Sequence, residues 1–386
     1  MVEYARSERA AGGNAAMKMR LWSCFIACSS FLMLGGWSGK AEESVEPPPE
    51  AFRDGRPVSM MKTLNEMEPR ILIPSLPYAI TNPGSYYLLG TLQGTGGIYV
   101  ACSAVTIDLN GFGLWGMTNC RSHGIELGPE VSVVQVRNGM VAEWNGWGIY
   151  SGTDSTCCVM EDLSVGMNSE GGISVGAGSR LERVLVAECG GCGMVVGPAS
   201  TVTDCKVTDN VGTGIVVGTA SSVLSTLSAN NGCDGIFADI YCTVRDCTLM
   251  GNARNGIACT ASCRVLECNV GNNGKPAPYS AGICLKGPGN QVKGNNITAN
   301  GKGISVENMS TGNWIDNNSL IDNYVGLEVL GTGNFIVRNC FGTPIVTNGV
   351  HSIIMPDNQA AQILENMGSS FTDANPWANI RLTPEN

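Results

Sequence analysis

Charged side chains recur at a fixed pitch through the middle of this 386-residue sequence. Arg183, Asp204, Asp246 and Glu267 share one phase, Ser225 fills the remaining step, and Lys206 and Arg245 stand within two residues of it. Acids and bases at a fixed pitch suit one kind of chemistry well. A sugar acid needs a cation to neutralise its carboxylate and, where the proton beside that carboxylate is to be removed, a base. Arg183, Asp204 and Lys206 make one such group, and Arg245, Asp246 and Glu267 a second. The carboxylates are also hard oxygen ligands of the kind that hold Ca2+, although nothing calls for a resident cofactor or metal. The plainer alternative is a row of solvated salt bridges, which contribute little. These six residues are therefore candidates for substrate binding, and no catalytic set is complete. The sequence has two histidines, His123 in SHGIEL (122–127) and His351, and neither can be placed in a nucleophilic triad.

A fixed pitch requires a repeating scaffold. Gly followed by an aliphatic residue or Met recurs at Gly124, Gly148, Gly172, Gly193, Gly214, Gly235, Gly256, Gly282, Gly303 and Gly326, in near-constant steps of which Gly256 to Gly282 is the widest. A second column, Val136, Met160, Leu181, Val202, Val223, Val244, Val265, Val292, Ile315 and Ile336, is apolar throughout. Three residues on comes a column of small or medium residues, including Cys205, Thr226, Cys247, Cys268, Asn295 and Asn318. Eight residues on, Asn168, Asn210, Asn231, Asn252, Asn273, Asn300 and Asn323 form an asparagine ladder, with Trp144 and Cys189 in the same phase. Asn tolerates the left-handed backbone of a sharp turn, and its amide both donates and accepts. Each period thus reads as one coil of short strands, stacked on the next at ~4.8 Å. The charged phase falls two residues after the apolar column, facing outward.

These columns resemble the right-handed parallel β-helix repeats of the pectate-lyase-like superfamily, including periplasmic NosD-like proteins, over about residues 71–355. LPYAITNPGSYYLLGTL (76–92) with VTIDLNGFGLWG (105–116) is similar to the opening coils of secreted bacterial β-helix proteins, and ANPWANIRL (374–382) resembles their closing tail. The resemblance implies an all-β right-handed parallel β-helix of about ten coils. It leaves function open between polysaccharide lyases, hydrolases, epimerases and non-catalytic scaffolds, because one fold hosts all of them. His123 faintly resembles the His-Gly of polygalacturonases, but the paired aspartates and Arg-x-Lys of that family are missing.

Composition agrees with many strands and tight turns. Gly accounts for 51 residues, and charged residues for only 15%. A net charge of −10 with scattered Lys and Arg excludes a nucleic-acid partner. Lys18 and Arg20 before the apolar run 21–36 read as an export signal within 1–41, from either Met1 or Met17, with no later span of membrane length. The prolines and charges of 42–70 read as a linker, and 71–386 as one domain capped by 71–100 and 356–386. KPAPYS (275–280) breaks the period and reads as a projecting loop. The expected location is secreted, periplasmic or on the cell surface, with a polysaccharide or envelope glycan as partner.

Cysteines fit the same lattice. Cys242 and Cys263 lie seven residues after the repeat Gly in successive coils, which sets their Cα atoms ~5 Å apart and predicts a disulfide. CGGC (189–192) resembles a redox motif, but Cys189 belongs to the ladder phase and reads as core. On the Gly-Ile strands, Val195, Val216, Phe237 and Ala258 form an outward apolar stripe that something should cover.

Overall fold

The computed structural model describes residues 52–53, 56–57, 70–117, 120, 122–152, 155–274, 280–342, 350–365 and 375–382. The expected export signal (1–41), most of the linker and the loop at 275–279 lie outside the described residues. Within 2–69, Phe52–Arg53 and Arg56–Pro57 pair as an antiparallel ribbon. No helix is long and apolar enough to cross a membrane among the described residues.

From Arg70 onward the chain winds as a parallel β-solenoid whose coils have three sides. One coil shows the plan: Met194–Val196 on one side, Thr201–Thr203 on the next and Lys206–Thr208 on the third. Each side pairs in parallel with its counterpart on the next coil: Met194 with Ile215, Val202 with Val223 and Lys206 with Leu227. The three columns are called here the front face (Met194–Val196), the first flank (Thr201–Thr203) and the second flank (Lys206–Thr208).

The front face has thirteen strands, from Tyr78–Ile80 to Val350–Ile354. The solenoid therefore has about thirteen turns, three more than the repeat Gly positions indicate. The additional rungs are Tyr78–Ile80, Ile98–Val100 and Val350–Ile354. At the two ends, Tyr78 and Ser352 replace the aliphatic residue that follows Gly elsewhere, although both pair in register with the regular rungs. Ile98 does follow a Gly, Gly97, and pairs with Ile125. Burial explains the regularity: Val202, Val207, Ile215 and Val217 are fully buried, as are their equivalents along the rod. Each such side chain contributes roughly 1.5–3 kcal/mol.

The corners are built alike. In the coil 194–214, Ala199, Asp204 and Asp209 all adopt left-handed backbone, with φ of 54°, 52° and 59°. A buried residue that faces inward follows each of them: Ser200, Cys205 and Asn210. Their backbone N–H groups donate to the side chains of Ser221, Thr226 and Asn231 on the next coil, at 3.1, 3.3 and 3.2 Å. A side-chain ladder thus runs up all three corners. In the later coils all three become asparagine ladders, for example Asn290–Asn313–Asn334, Asn295–Asn318–Asn339 and Asn273–Asn300–Asn323. The left-handed turns that cost energy for L-residues are offset by satisfying buried backbone donors that would otherwise lack partners.

The predicted Cys242–Cys263 bridge is not formed, and all fifteen described cysteines are free thiols. Register places the pair as neighbours and the two thiols interact, while each sulfur also approaches a carbonyl of the preceding coil. Cys242 Sγ lies 3.2 Å from Gly218 O, and Cys263 Sγ 2.7 Å from Asp239 O. These residues act as small core side chains. Cys189 likewise takes its place in a corner ladder, its N–H donating to Asn210 Oδ1 at 3.0 Å.

Candidate functional site

The corner between the two flanks carries the charged phase. Arg183, Asp204, Asp246 and Glu267 are its left-handed residues, with φ between 52° and 56°. The backbone thus turns sharply at each of them and throws the side chain outward, and all four are exposed. Lys206 follows two residues after Asp204, in register with Leu185 and Leu227 on the second flank, and Arg245 occupies the end of a first-flank strand.

The structure separates these six residues by what they already hold. Arg183 reaches back one coil. Its Nε and Nη2 bond Asp162 at 2.7 and 3.0 Å, and Nη2 also bonds Glu161 at 2.7 Å. Glu182 closes the same guanidinium, and Arg180 joins the network through Glu182 at 2.6 Å. The Arg183 hydrogen bond holds the Asp162 carboxyl below its usual range, and the Asp162 and Glu161 carboxylates raise the guanidinium's pKa. Arg183 is therefore committed to Asp162 and Glu161, and is not grouped with Asp204 and Lys206 as the spacing predicts. Arg245 pairs with its neighbour Asp246 at 3.2 Å. Asp204, Lys206 and Glu267 enter no ion pair among the described residues.

Further along the same corner, Arg338 grips Asp316 with two bonds of 2.7 and 2.5 Å, and Asp316 is fully buried. That end of the corner is consumed internally. On the second flank Lys206 stands between Leu185 and Leu227, and beyond Leu227 the outward positions turn polar: Thr248, Asn269, Asn296 and Ser319 occupy successive coils in register. A cavity of about 360 Å3 lies at the last coils, lined by Phe335, Val337, Gln359, Ala360, Ala361 and Trp377, with no charged residue in its lining.

The apolar stripe of the front face is partly covered. Val216 and Ala258 are buried, Val195 and Phe237 half-buried, and Lys286 lies over the Phe237 ring at 5.6 Å. Toward the N-terminal end of that face stands a group that residue spacing does not reveal. The His123 and Tyr150 rings stack at 4.5 Å and 17°, with Trp147 at 6.4 Å from Tyr150. Tyr99, Glu126 and Tyr150 occupy three successive rungs in register. Burial pushes the His123 pKa down, against the opposing pull of Glu126 and Glu170. The available signal is the period-of-two alternation, which turns Glu126 and Tyr150 outward; the partnership of Tyr150 with His123, which belongs to the preceding coil, needs the register.

Three-sided parallel coils, inward aliphatic columns and ladders at the corners define a class: the chain is a right-handed parallel β-helix repeat protein. Two family models match it, "Right handed beta helix region" over residues 91–231 and "Periplasmic copper-binding protein (NosD)" over 197–354. A comparison with curated protein sequences gives no match. Among solved structures, the chain is similar to the A-module of the Azotobacter vinelandii mannuronan C-5 epimerase AlgE6, at 15% identity and a TM-score of 0.52. That alignment covers 79% of this chain and 92% of the epimerase module. It is also similar to a double mutant of the tailspike protein of E. coli bacteriophage HK620, at 13% identity and TM-score 0.52, over 81% and 71% of the two chains. At such identities the likeness is one of fold.

Proposed function

We propose that the protein is an exported, periplasmic or surface-located β-helix that binds a polysaccharide along the corner between its flanks. The observation that carries this reading is the set of uncommitted charges there: Asp204, Lys206 and Glu267 are exposed, lie on a common lattice and have no ion-pair partner among the described residues. Lys206 supplies a cation for a sugar carboxylate, while Asp204, Glu267 and the Thr and Asn side chains of the second flank accept from or donate to hydroxyls. The Arg245–Asp246 pair stands between them as an exchangeable contact. Ca2+ held by the carboxylates is compatible with the same surface. The family description "periplasmic" and the glycan named in the epimerase's title support the location and the ligand class. Binding is favoured over turnover, because Asp204 and Lys206 lie exposed on an outer corner and not in a closed cleft that would exclude water.

The test is binding of the full chain to polygalacturonate and alginate oligosaccharides, with Asp204→Ala and Lys206→Ala variants. Loss of affinity by tenfold or more in Lys206→Ala is the expected result; no binding to either glycan, or unchanged affinity in both variants, removes the site. One observation favours a second reading, a non-catalytic assembly scaffold: the largest ion cluster on this corner, around Arg183, is spent in joining coils.

A further inference from the structure

The aromatic group on the front face is built for a ligand of different chemistry from the corner. Its rings lie against glycine backbone. A Cβ on Gly146 would stand 2.4 Å from His123 Nδ1, and one on Gly171 would stand 2.5 Å from the Trp147 ring. Each ring thus rests on the next coil and cannot sink into the rod. Tyr99 is 41% exposed although it sits on an interior rung of the sheet.

Hydrogen bonding fixes what the imidazole presents. His123 Nδ1 accepts the Trp147 backbone N–H at 2.9 Å. In the neutral ring the proton is then on Nε2, which becomes a donor. Glu126 stands in register between Tyr99 and Tyr150, an acceptor flanked by two aromatic rings at rung spacing, ~4.8 Å on each side. Among the described residues the charges acting on His123 are both carboxylates, Glu126 and Glu170. These carboxylates disfavour a sugar acid, whereas an apolar ring face with hydroxyls around its edge matches flat aromatic bodies with polar groups beside them.

We propose that the surface formed by Tyr99, His123, Glu126, Trp147 and Tyr150 binds an uncharged glycan. The C–H face of a pyranose packs on the Tyr99 ring, and its hydroxyls bond the Glu126 carboxylate and the His123 Nε2–H. The three rungs span the length of about two sugar units. This site uses none of the corner residues and does not depend on their function.

Isothermal titration of the full chain with cellohexaose, laminarihexaose and mannohexaose tests it. Saturable binding of at least one is expected, weakened tenfold or more by Tyr99→Ala and by Glu126→Gln and kept within twofold in Tyr99→Phe. Met309→Ala, at a highly exposed position elsewhere, serves as the unaffected control. Thermal unfolding of each variant shows that the fold persists. No binding of any of the three hexasaccharides, or wild-type affinity in both weakening variants, overturns the proposal. Polygalacturonate binding is read separately: if it is lost in Lys206→Ala while the neutral sugars fail to bind, this site falls and the corner reading stands.

Discussion

Arg183 and Asp162, one coil apart, form a two-point ion pair of 2.7 and 3.0 Å. The most conspicuous cation of the charged corner is thereby turned into a clasp between coils, and under the proposed function ligand contact falls to Lys206. Substituting Arg183→Met is expected to lower the thermal midpoint and leave glycan affinity within twofold. Lys206→Ala is expected to do the reverse. A double variant, Arg183→Met with Asp162→Asn, should recover part of the midpoint, because the stranded carboxylate is removed along with its partner. Calorimetry and titration on the same samples separate the two roles.

The corner ladders make a sharper demand. Asn273 accepts from the N–H and the Nδ2 of Asn252, at 3.1 and 2.9 Å, and donates to Leu249 O at 3.0 Å. Asn273→Ala removes these bonds and takes the side-chain acceptor from the buried Asn252 N–H, while Asn252 Nδ2 keeps Ser228 O, and should destabilise the rod by roughly 1–3 kcal/mol. The shift in urea midpoint measures it. An equal loss on replacing the exposed Asn296 would show that the ladder is not the cause.

Thiol chemistry distinguishes core from surface. Burial pushes the Cys189 and Cys205 thiols up to about 11, and burial together with Glu307 pushes Cys284 up to about 12. Thiolate is the reactive form, so at pH 8 these residues should resist iodoacetamide while the exposed Cys157 is modified. Mass spectrometry before and after denaturation reads the difference, and rapid labelling of Cys205 in the native protein would contradict it.

His123 gives a pH dependence with a defined sign. Its folded pKa is depressed by burial despite Glu126 and Glu170. Above the unfolded value, about 6.5, both states are neutral and the full stability is present. As pH falls below that, the unfolded chain takes up a proton that the folded imidazole resists, and stability declines until the folded pKa is passed. His123→Gln should flatten this part of the profile between pH 7 and 5, as followed by thermal unfolding.

The sequence discloses whatever the lattice repeats and conceals whatever crosses it. Val202, Asn210 and Ile215 reveal their places because the same residue types recur at their phases, and all three are buried as the phases require. The corner between front face and first flank escapes notice because Ser179, Ser200, Ser221, Cys242, Cys263 and Asn290 share a role without sharing a type. Asp162 stands one period before Arg183 in the charged phase and Asp204 one period after it; the spacing does not show that the guanidinium turns back to Asp162. His123 and Tyr150 sit at different phases on adjacent coils, so only the pairing of strands brings their rings together. The disulfide expectation also shows what a column leaves out: proximity of Cys242 and Cys263 follows from register, but both remain free thiols, each also approaching a carbonyl that the column does not display.

Three ladders at three corners also govern how such a chain can change length. A residue inserted within any strand would slide the ladder beyond it out of step, whereas a whole added period preserves all three. The wide step from Gly256 to Gly282 obeys this rule: Asn273 before the extra residues still meets Asn300, and Cys284 after them still pairs with Ala258. Evolution can therefore lengthen this molecule only in whole rungs or by decorating its bends, which makes the rod a counted object, altered by copying or deleting entire coils.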